Sequence, residues 1–171
     1  MTPLSRTTAP ALLALAALVL AGCAATAPAA TTTPEPEATV AGPCEQVSVV
    51  VDFGVLDEPS VKACAAEGAA TDVLAEADIT TEGTVDYGDQ VVCRVNNQPS
   101  PDETVTIEGT EPFVESCLTL NSAAYWALWV KATPDGEWEY AQEGANTLQL
   151  ADGQSLGLVY TPIADSTPPQ D

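Results

Sequence analysis

All three tryptophans of this 171-residue chain lie in one short stretch, AYWALWVKATPDGEWEY, at residues 124–140. Aromatic residues make up only 5% of the sequence, so this stretch concentrates the largest apolar side chains that the protein can bury. The motif TPDG at residues 133–136 has Pro, Asp and Gly where a β-turn favours them. The stretch therefore predicts a β-hairpin that either lies in the core or displays aromatic rings to a ligand.

The register of this hairpin decides which side chains share a face. With TPDG as a four-residue loop, Trp129 lies opposite Tyr140, and Lys131 lies opposite Trp138. Aromatic rings and a lysine on an open sheet face are suited to stack on a flat ligand, a sugar or a peptide side chain. Because side chains alternate along a strand, one face then carries five candidate ligand-binding residues: Tyr125, Trp129, Lys131, Trp138 and Tyr140.

A slip of one residue gives a second grouping of the same side chains. Trp138 and Tyr140 then share a face with three residues that together are typical of a core: Trp126, Leu128 and Val130. We expect Trp126 to pack in the core, because a small domain with few aromatic residues needs them inside. Trp129 and Trp138 remain open between core packing and an exposed platform.

The N-terminus has the pattern of an export signal. One cation, Arg6, precedes the apolar run ALLALAALVLA, which is too short to span a bilayer as a helix, since that needs about 20 residues. The run ends in LAGC, which resembles the bacterial lipobox and implies cleavage before Cys23 and attachment of a diacylglyceryl group to its thiol. We therefore expect a lipoprotein anchored at the extracytoplasmic face of the cell membrane.

Composition divides the rest of the chain. Residues 1–22 are the predicted signal peptide, and residues 23–43 are the lipidated Cys23 with a disordered linker of mainly Ala, Thr and Pro. Residues 44–162 form the predicted domain, and residues 163–171 are expected to be a disordered tail.

The charge of the chain is strongly acidic. It contains 25 acidic residues against four basic ones, with a formal net charge of −21. Nucleic acid and anionic membrane surfaces would repel such a chain. Nucleic acid is therefore not an expected partner, and the membrane is one only through the lipid anchor. Asp52, an acid at the end of an apolar strand, is expected to cap the following turn or to pair with Arg94 or Lys62.

Four further cysteines, Cys44, Cys64, Cys93 and Cys117, are expected to form two disulfides in an exported domain. Three pairings are possible, and the sequence does not choose between them. A tentative pairing of Cys44 with Cys64 and of Cys93 with Cys117 closes the shorter loops. The chain has no histidine and no CxxC spacing, so we expect no metal site.

The hydrophobic pattern favours an α+β fold. Residues 47–53 and 90–95 read as strands, residues 60–65 as a strand or the start of a helix, and residues from Thr71 as a helix with Thr71 as its N-cap. TVTIEG is a candidate edge strand, and LQL with SLGLVY is a candidate second hairpin joined by ADGQ. We expect a mixed sheet of about five to six strands with one helix packed on a face.

Several motifs together resemble a known domain. VVVDFG, VCRVNNQP, AYWALW, WEYAQEG and GQSLGLVY, spread over about residues 45–160, are similar to the C-terminal domain of transcobalamin and intrinsic factor. The resemblance implies a β-grasp-like fold of the soluble-ligand-binding superfamily, a strand rather than a helix at residues 60–65, and binding of a small soluble ligand. The cobalamin carriers enclose their ligand with a large helical domain that this chain lacks, so cobalamin is not the expected ligand.

The chain offers little for catalysis. It has no histidine to act as a base and no GxSxG, SxxK or phosphate-loop motif, so we expect neither an enzyme nor a bound cofactor. The predicted function is a non-catalytic binding module for a small ligand. The alternative is a structural or adhesive surface protein that docks a protein partner through its aromatic hairpin or a sheet edge. A concave pocket at the hairpin would favour the first, and a flat apolar patch the second.

Overall fold

The structure, a computed structural model, describes residues 44–170. The predicted signal peptide, the lipidation site Cys23 and the linker up to residue 43 lie outside the described residues, as does Asp171. Within residues 44–170, no helix has the length and apolar character needed to cross a membrane.

A run of β-branched residues forms the first strand, β1 (Val47–Asp52), which is largely buried. The chain returns antiparallel as β2 (Val61–Ala65), so the segment predicted as either strand or helix is a strand. The long strands β6 (Ala124–Lys131) and β9 (Ser155–Pro162) and the short β7 (Glu139–Tyr140) complete a five-stranded sheet. Its order is β2-β1-β9-β6-β7, with β1 and β9 parallel and the other neighbours antiparallel.

Shorter elements surround this sheet. β3 (Gly68–Ala69) pairs with β8 (Gln149–Leu150), and β4 (Thr81–Thr84) pairs with β5 (Gly88–Val95), both antiparallel. The α-helix of residues 44–170 is α1 (Ala70–Glu76), and a short 3₁₀ helix covers Gly54–Leu56. The predicted α+β class, a mixed sheet of five to six strands with one helix, is confirmed.

Three local predictions are wrong. The expected hairpin of LQL and SLGLVY does not form, because β9 has β1 on one edge and β6 on the other, and β8 pairs with β3 instead. The helix begins before Thr71, with Ala69 as its N-cap residue. The predicted strand in TVTIEG is reduced to an isolated bridge between Val105 and Phe113, in a stretch with prolines on both sides.

One face of the main sheet holds the core. Alternate residues of each strand point to the same side, so β1, β9 and β6 contribute every second residue to one apolar layer. Val73 and Leu74 of α1 pack in the same cluster, which places the helix on this face. Trp126 is in this core as predicted, with its ring 5.5 Å from Phe53 and 5.4 Å from Tyr160 between centroids. The sheet residues of the cluster include Val47, Val49, Val51, Leu156, Leu158, Tyr160, Ala124, Trp126 and Leu128.

The C-terminal segment lies against the opposite face of the sheet. Pro169 is buried, and the backbone N–H of Gln170 donates a hydrogen bond to Asp52 Oδ2 at 3.3 Å. Asp52 Oδ1 accepts from Gly54 N–H at 2.9 Å, which confirms the prediction that this carboxylate caps the following turn. These contacts differ from the disordered tail that the sequence predicts from residue 163.

Both tentative disulfide pairings are confirmed. Cys44 joins Cys64 with 5.9 Å between Cα atoms and ties the start of the domain to the edge strand β2. Cys93 joins Cys117 with 5.5 Å between Cα atoms and ties β5 to the irregular segment before β6. The two disulfides span 20 and 24 residues. In the chain-entropy model each lowers the entropy of the unfolded chain and so stabilises the folded protein by about 3 kcal/mol.

A buried arginine organises that irregular segment. Arg94 is only 6% exposed, and its Nε and Nη2 atoms donate hydrogen bonds to the carbonyls of Pro99 at 2.8 Å and Glu115 at 2.7 Å. Its Nη1 atom contacts Glu82 Oε2 at 2.8 Å and Cys117 Sγ at 2.7 Å. Burying a cation is unfavourable unless it is paired, and here the guanidinium also satisfies two backbone carbonyls of the chain between β5 and β6.

Replacement of Arg94 by Met should lower the free energy of unfolding by about 3 kcal/mol, because the carbonyls of Pro99 and Glu115 lose their donors inside the protein. Lys62→Met removes the same charge from an exposed position on β2 and should change stability by less than about 0.5 kcal/mol. Urea unfolding of the oxidised proteins at pH 7 measures both values. Equal effects of the two substitutions would show that Arg94 contributes only its charge.

Candidate functional site

The aromatic hairpin has the register that a four-residue TPDG loop predicts. Trp129 lies opposite Tyr140 and Val130 opposite Glu139, and the N–H of Gly136 donates to the carbonyl of Thr133 at 2.9 Å to close the turn. The alternative register, slipped by one residue, is wrong. The β6 residues that this register groups with Trp138, namely Trp126, Leu128 and Val130, pack in the main core, whereas Trp138 packs against the other face of the sheet.

The second face of the sheet carries a small apolar cluster, here called the outer layer. Trp129 is its centre, only 7% exposed and packed with Ala127 and Val159. Tyr125 and Trp138 are partly buried against these three residues. The ring of Tyr140 meets Trp129 edge-on, with 5.4 Å between centroids and an interplanar angle of 81°. Trp129 is therefore a packing residue of the outer layer rather than an exposed platform.

The outer layer is possible because the central strand has no side chain at Gly157. A Cβ atom built there would lie 2.6 Å from Cγ of Pro169 and 3.0 Å from Cζ3 of Trp138. Trp138 and the C-terminal segment thus contact the sheet directly at this position. The second strand of the hairpin, through Trp138, and the C-terminal segment, through Pro169, therefore both pack on β9 at Gly157.

Beside Trp138 the same face opens into a cavity of about 380 Å³, here called the outer cavity. The Nζ atom of Lys131 lies 4.8 Å from the centroid of the Trp138 ring, and Lys131 is only 8% exposed. Such a cation over an aromatic face is attracted by the quadrupole of the ring, so the two side chains hold each other in place. The cavity is lined by Cys44, Ser48, Val50, Lys131, Pro134, Trp138, Gly153, Gln154 and Ser155.

A second, smaller cavity of about 170 Å³ lies between β5 and β6 and is here called the edge cleft. Tyr125 and Tyr140 line it together with apolar residues that include Leu120 and Leu128. Burial raises the pKa of the Tyr140 hydroxyl above its usual range, and a hydrogen bond to Tyr125 raises it further. The Tyr140 hydroxyl therefore stays protonated at neutral pH and is a hydrogen-bonding group of the cleft.

The five candidate residues are divided between these two cavities. Lys131 and Trp138 line the outer cavity, Tyr125 and Tyr140 line the edge cleft, and Trp129 lines neither. Sequence reasoning missed Ser48, Gln154 and Ser155, the polar residues of the outer cavity. They come from the start of β1, the loop before β9 and the start of β9, and no local pattern marks short polar residues at strand ends as partners of a distant hairpin.

A group of potential metal-ligand atoms lies elsewhere, at Cys93, Glu115 and Cys117, with the atoms within 4.8 Å of one another. The two sulfur atoms form a disulfide, and metal binding by cysteine requires thiolates. The carboxylate of Glu115 accepts hydrogen bonds at 3.0 Å from the N–H of Cys117 and from Nδ2 of Asn121. In the oxidised protein this group is a structural connection between β5 and the segment before β6.

Comparison of the chain with protein-family models, with curated proteins and with solved structures finds no significant match. The residues of the outer cavity and the edge cleft therefore provide the basis for a functional proposal.

Replacement of Gly157 by Ala should destabilise the protein by about 1 to 3 kcal/mol, because the new methyl group overlaps Pro169 and Trp138. Removal of residues 166–171 takes away the nearer of these two contacts. In the shortened chain the same substitution should therefore cost measurably less, which a double-mutant cycle of urea unfolding detects. The same cost in both backgrounds would contradict the packing of Pro169 on Gly157.

Proposed function

We propose that residues 44–170 form a non-catalytic binding module that takes a small soluble ligand in the outer cavity. The observation that carries this proposal is the cavity itself, of about 380 Å³, with the ring of Trp138 as one wall and Lys131 held over that ring. Protein sites for small molecules fall in the range of about 300 to 1,000 Å³. They combine apolar walls with a few polar groups that orient the ligand.

The lining of the outer cavity has this composition. Val50, Pro134 and Trp138 supply apolar surface, and Ser48, Gln154, Ser155 and Lys131 supply polar groups. These residues come from three neighbouring strands of the main sheet and from the loops next to them, all brought together by pairing within one sheet.

The site also has a rigid support. Trp138 contacts the sheet at Gly157, Lys131 is mostly buried, and Cys44 at the cavity is covalently joined to β2. A binding site formed before the ligand arrives loses less conformational entropy on binding, which favours affinity. The small-ligand proposal agrees with the resemblance to the transcobalamin C-terminal domain drawn from the sequence.

We further propose that the module is held at the extracytoplasmic face of the cell membrane by a lipid on Cys23. Residues 24–43, 20 in number, separate the proposed lipid from the domain, and a chain of that length reaches about 60 Å in the polyproline II conformation. A domain on such a linker is placed to capture a soluble ligand and to present it to a transporter or to another surface protein.

A second candidate function, docking of a protein partner, is supported by the edge cleft. Leu120 and Tyr140, which both line it, are each 43% exposed, and Leu118, two residues before Leu120, is also exposed. Exposed apolar side chains around a cleft are typical of interaction surfaces. The two functions use different cavities with no lining residue in common, so substitutions separate them.

The binding proposal predicts that a compound from a panel of flat heterocycles, cobinamides and sugars alters the tryptophan emission of the protein. Trp138→Leu should weaken its binding at least tenfold by removing the stacking wall, and Tyr140→Ala, the matched change in the edge cleft, should leave it unchanged. Fluorescence titration of the two variants measures this. Loss of binding in Tyr140→Ala alone would assign the ligand to the edge cleft and contradict the proposal.

The anchoring proposal predicts that the full chain, produced in a bacterium, incorporates an alkyne-labelled fatty acid and sediments with membranes. Cys23→Ala should abolish both, because the thiol is the only attachment point that the LAGC motif provides. Ala25→Ser, two residues further on, is the control and should keep the label. Equal labelling of the Cys23→Ala chain would contradict lipidation at this residue.

A further inference from the structure

The C-terminal segment, residues 163–170, lies on the face of the sheet that carries the outer layer, much as a bound peptide would. After a turn at the end of β9, residues 165–170 have no regular secondary structure. Thr167 and Pro168 each precede a proline, which restricts both residues to extended conformations. Past the turn the chain therefore lies across β9 and β1 as an extended segment that joins no strand.

Pro169 anchors this segment. It is the one buried residue among the described residues 163–170. Its Cγ atom lies 2.6 Å from the position that a Cβ atom would take at Gly157, and Cζ3 of Trp138 lies 3.0 Å from the same position. The proline ring thus lies in a niche, here called the proline niche, with Gly157 as its floor and the indole of Trp138 beside it. Domains that bind proline-rich peptides use the same contact of proline with an aromatic side chain.

Two further hydrogen bonds link residues 166–170 to the sheet. The N–H of Gln170 donates to Asp52 Oδ2 at 3.3 Å, and the hydroxyls of Ser166 and Tyr125 are 3.5 Å apart. Both distances are longer than those of most hydrogen bonds in proteins. A segment held by one buried ring and two long hydrogen bonds is of the kind that opens locally while the rest of a domain stays folded.

The segment also fits the sheet loosely. A cavity of about 210 Å³, here called the C-terminal groove, is lined by residues that include Asp52, Val159 and Thr161 of the sheet and Asp165, Thr167 and Pro168 of the segment. One water needs only about 10 to 15 Å³ of such volume, so the groove has room for larger side chains than the segment supplies. In addition, Nε1 of Trp138 is buried with no hydrogen-bond partner among the described residues. The surface therefore has capacity for a better-fitting peptide than the chain's own.

From these observations we propose that this face of the sheet binds an extended, proline-containing peptide segment of a partner protein. In the free protein, residues 166–170 occupy the site. The partner's segment displaces them, places a proline in the proline niche and donates the following backbone N–H to Asp52. Proline-rich segments suit such a site, because they are extended before they bind and so lose little conformational entropy.

The peptide site goes beyond the small-ligand site and does not depend on it. The C-terminal groove lies toward the ends of β1 and β9, where Asp52 and Val159 are in register. The outer cavity lies toward the starts of the same strands, where Ser48 and Ser155 are in register. The two sites meet at Trp138, which borders both the outer cavity and the proline niche.

The test uses a fluorescein-labelled peptide with the sequence of residues 164–171, ADSTPPQD, as the probe. Fluorescence anisotropy follows its binding to the full chain and to a chain that ends at residue 165, both in detergent. A tethered segment competes at an effective concentration in the millimolar range, so the peptide should bind the full chain at least tenfold more weakly than the shortened chain. A peptide with Pro169→Ala should bind the shortened chain at least tenfold more weakly than the unmodified peptide.

Two substitutions in the shortened chain locate the site. Gly157→Ala should abolish binding of the peptide, because the new methyl group fills the proline niche. Val85→Ala, a change of similar size at a position that is 75% exposed between β4 and β5, is the control and should leave binding unchanged.

Each other outcome contradicts a part of the proposal. Absence of saturable binding to the shortened chain, equal binding of the two peptides, or full binding to Gly157→Ala would overturn the peptide site. Equal binding to the full and the shortened chain would overturn the occupation of the site by residues 166–170. If the shortened chain does not fold, Pro169→Ala in the full chain replaces it. That variant should bind the unmodified peptide more tightly than the natural chain does, and equal binding would then overturn the proposal.

Discussion

Gly157, in the middle of the central strand, is the position on which the outer face of this protein depends. Because Gly157 has no Cβ atom, Trp138 and Pro169 can contact the sheet at this position. A Cβ atom of any other residue would lie too close to both side chains. Strand β9 carries β1 and β6 on its two edges, so its faces are where further packing is possible. The hairpin and the C-terminal segment use one of these faces, and the outer cavity is the space beside Trp138 that they leave uncovered.

The segment between β5 and β6 is held by different interactions. The chain between β5 and β6 contains almost no regular structure, and few of its backbone groups are paired in strands. Arg94 and the disulfide between Cys93 and Cys117 fix this segment by directed bonds, and Val105 and Ile107 pack in the main core. The result is a domain with one well-packed face, formed around Trp126, and one partly covered face that carries the candidate site.

Local sequence signals accounted for much of the hairpin. The TPDG turn set the register that pairs Trp129 with Tyr140, because turn length fixes strand pairing, and it correctly grouped Lys131 with Trp138. The burial of Trp129 does not follow from the hairpin alone, because it depends on Val159, a residue of β9 that lies 30 positions later in the chain. Short-range reasoning also failed for β8, which looked like the partner of β9 only because the two are adjacent in sequence.

The polar part of the candidate site was invisible in the sequence for a related reason. Ser48 and Ser155 meet because β1 and β9 pair in parallel, with these two residues in register. Parallel pairing joins segments that are far apart along the chain, and no turn motif in the sequence predicts it. A cavity between such strands follows from the topology as a whole, whereas the aromatic wall that borders it follows from one hairpin.

In the proposed site a ligand binds against Trp138, while Trp126 and Trp129 remain in packed layers. The most direct measurement is the two-dimensional ¹H–¹⁵N spectrum of the labelled protein, which resolves the three indole N–H groups, during titration with an unlabelled compound that alters the tryptophan emission. The account predicts a shift of the Trp138 signal and unchanged signals for Trp126 and Trp129. A ligand that binds without moving Trp138, or that moves Trp126 or Trp129 as much, would contradict it.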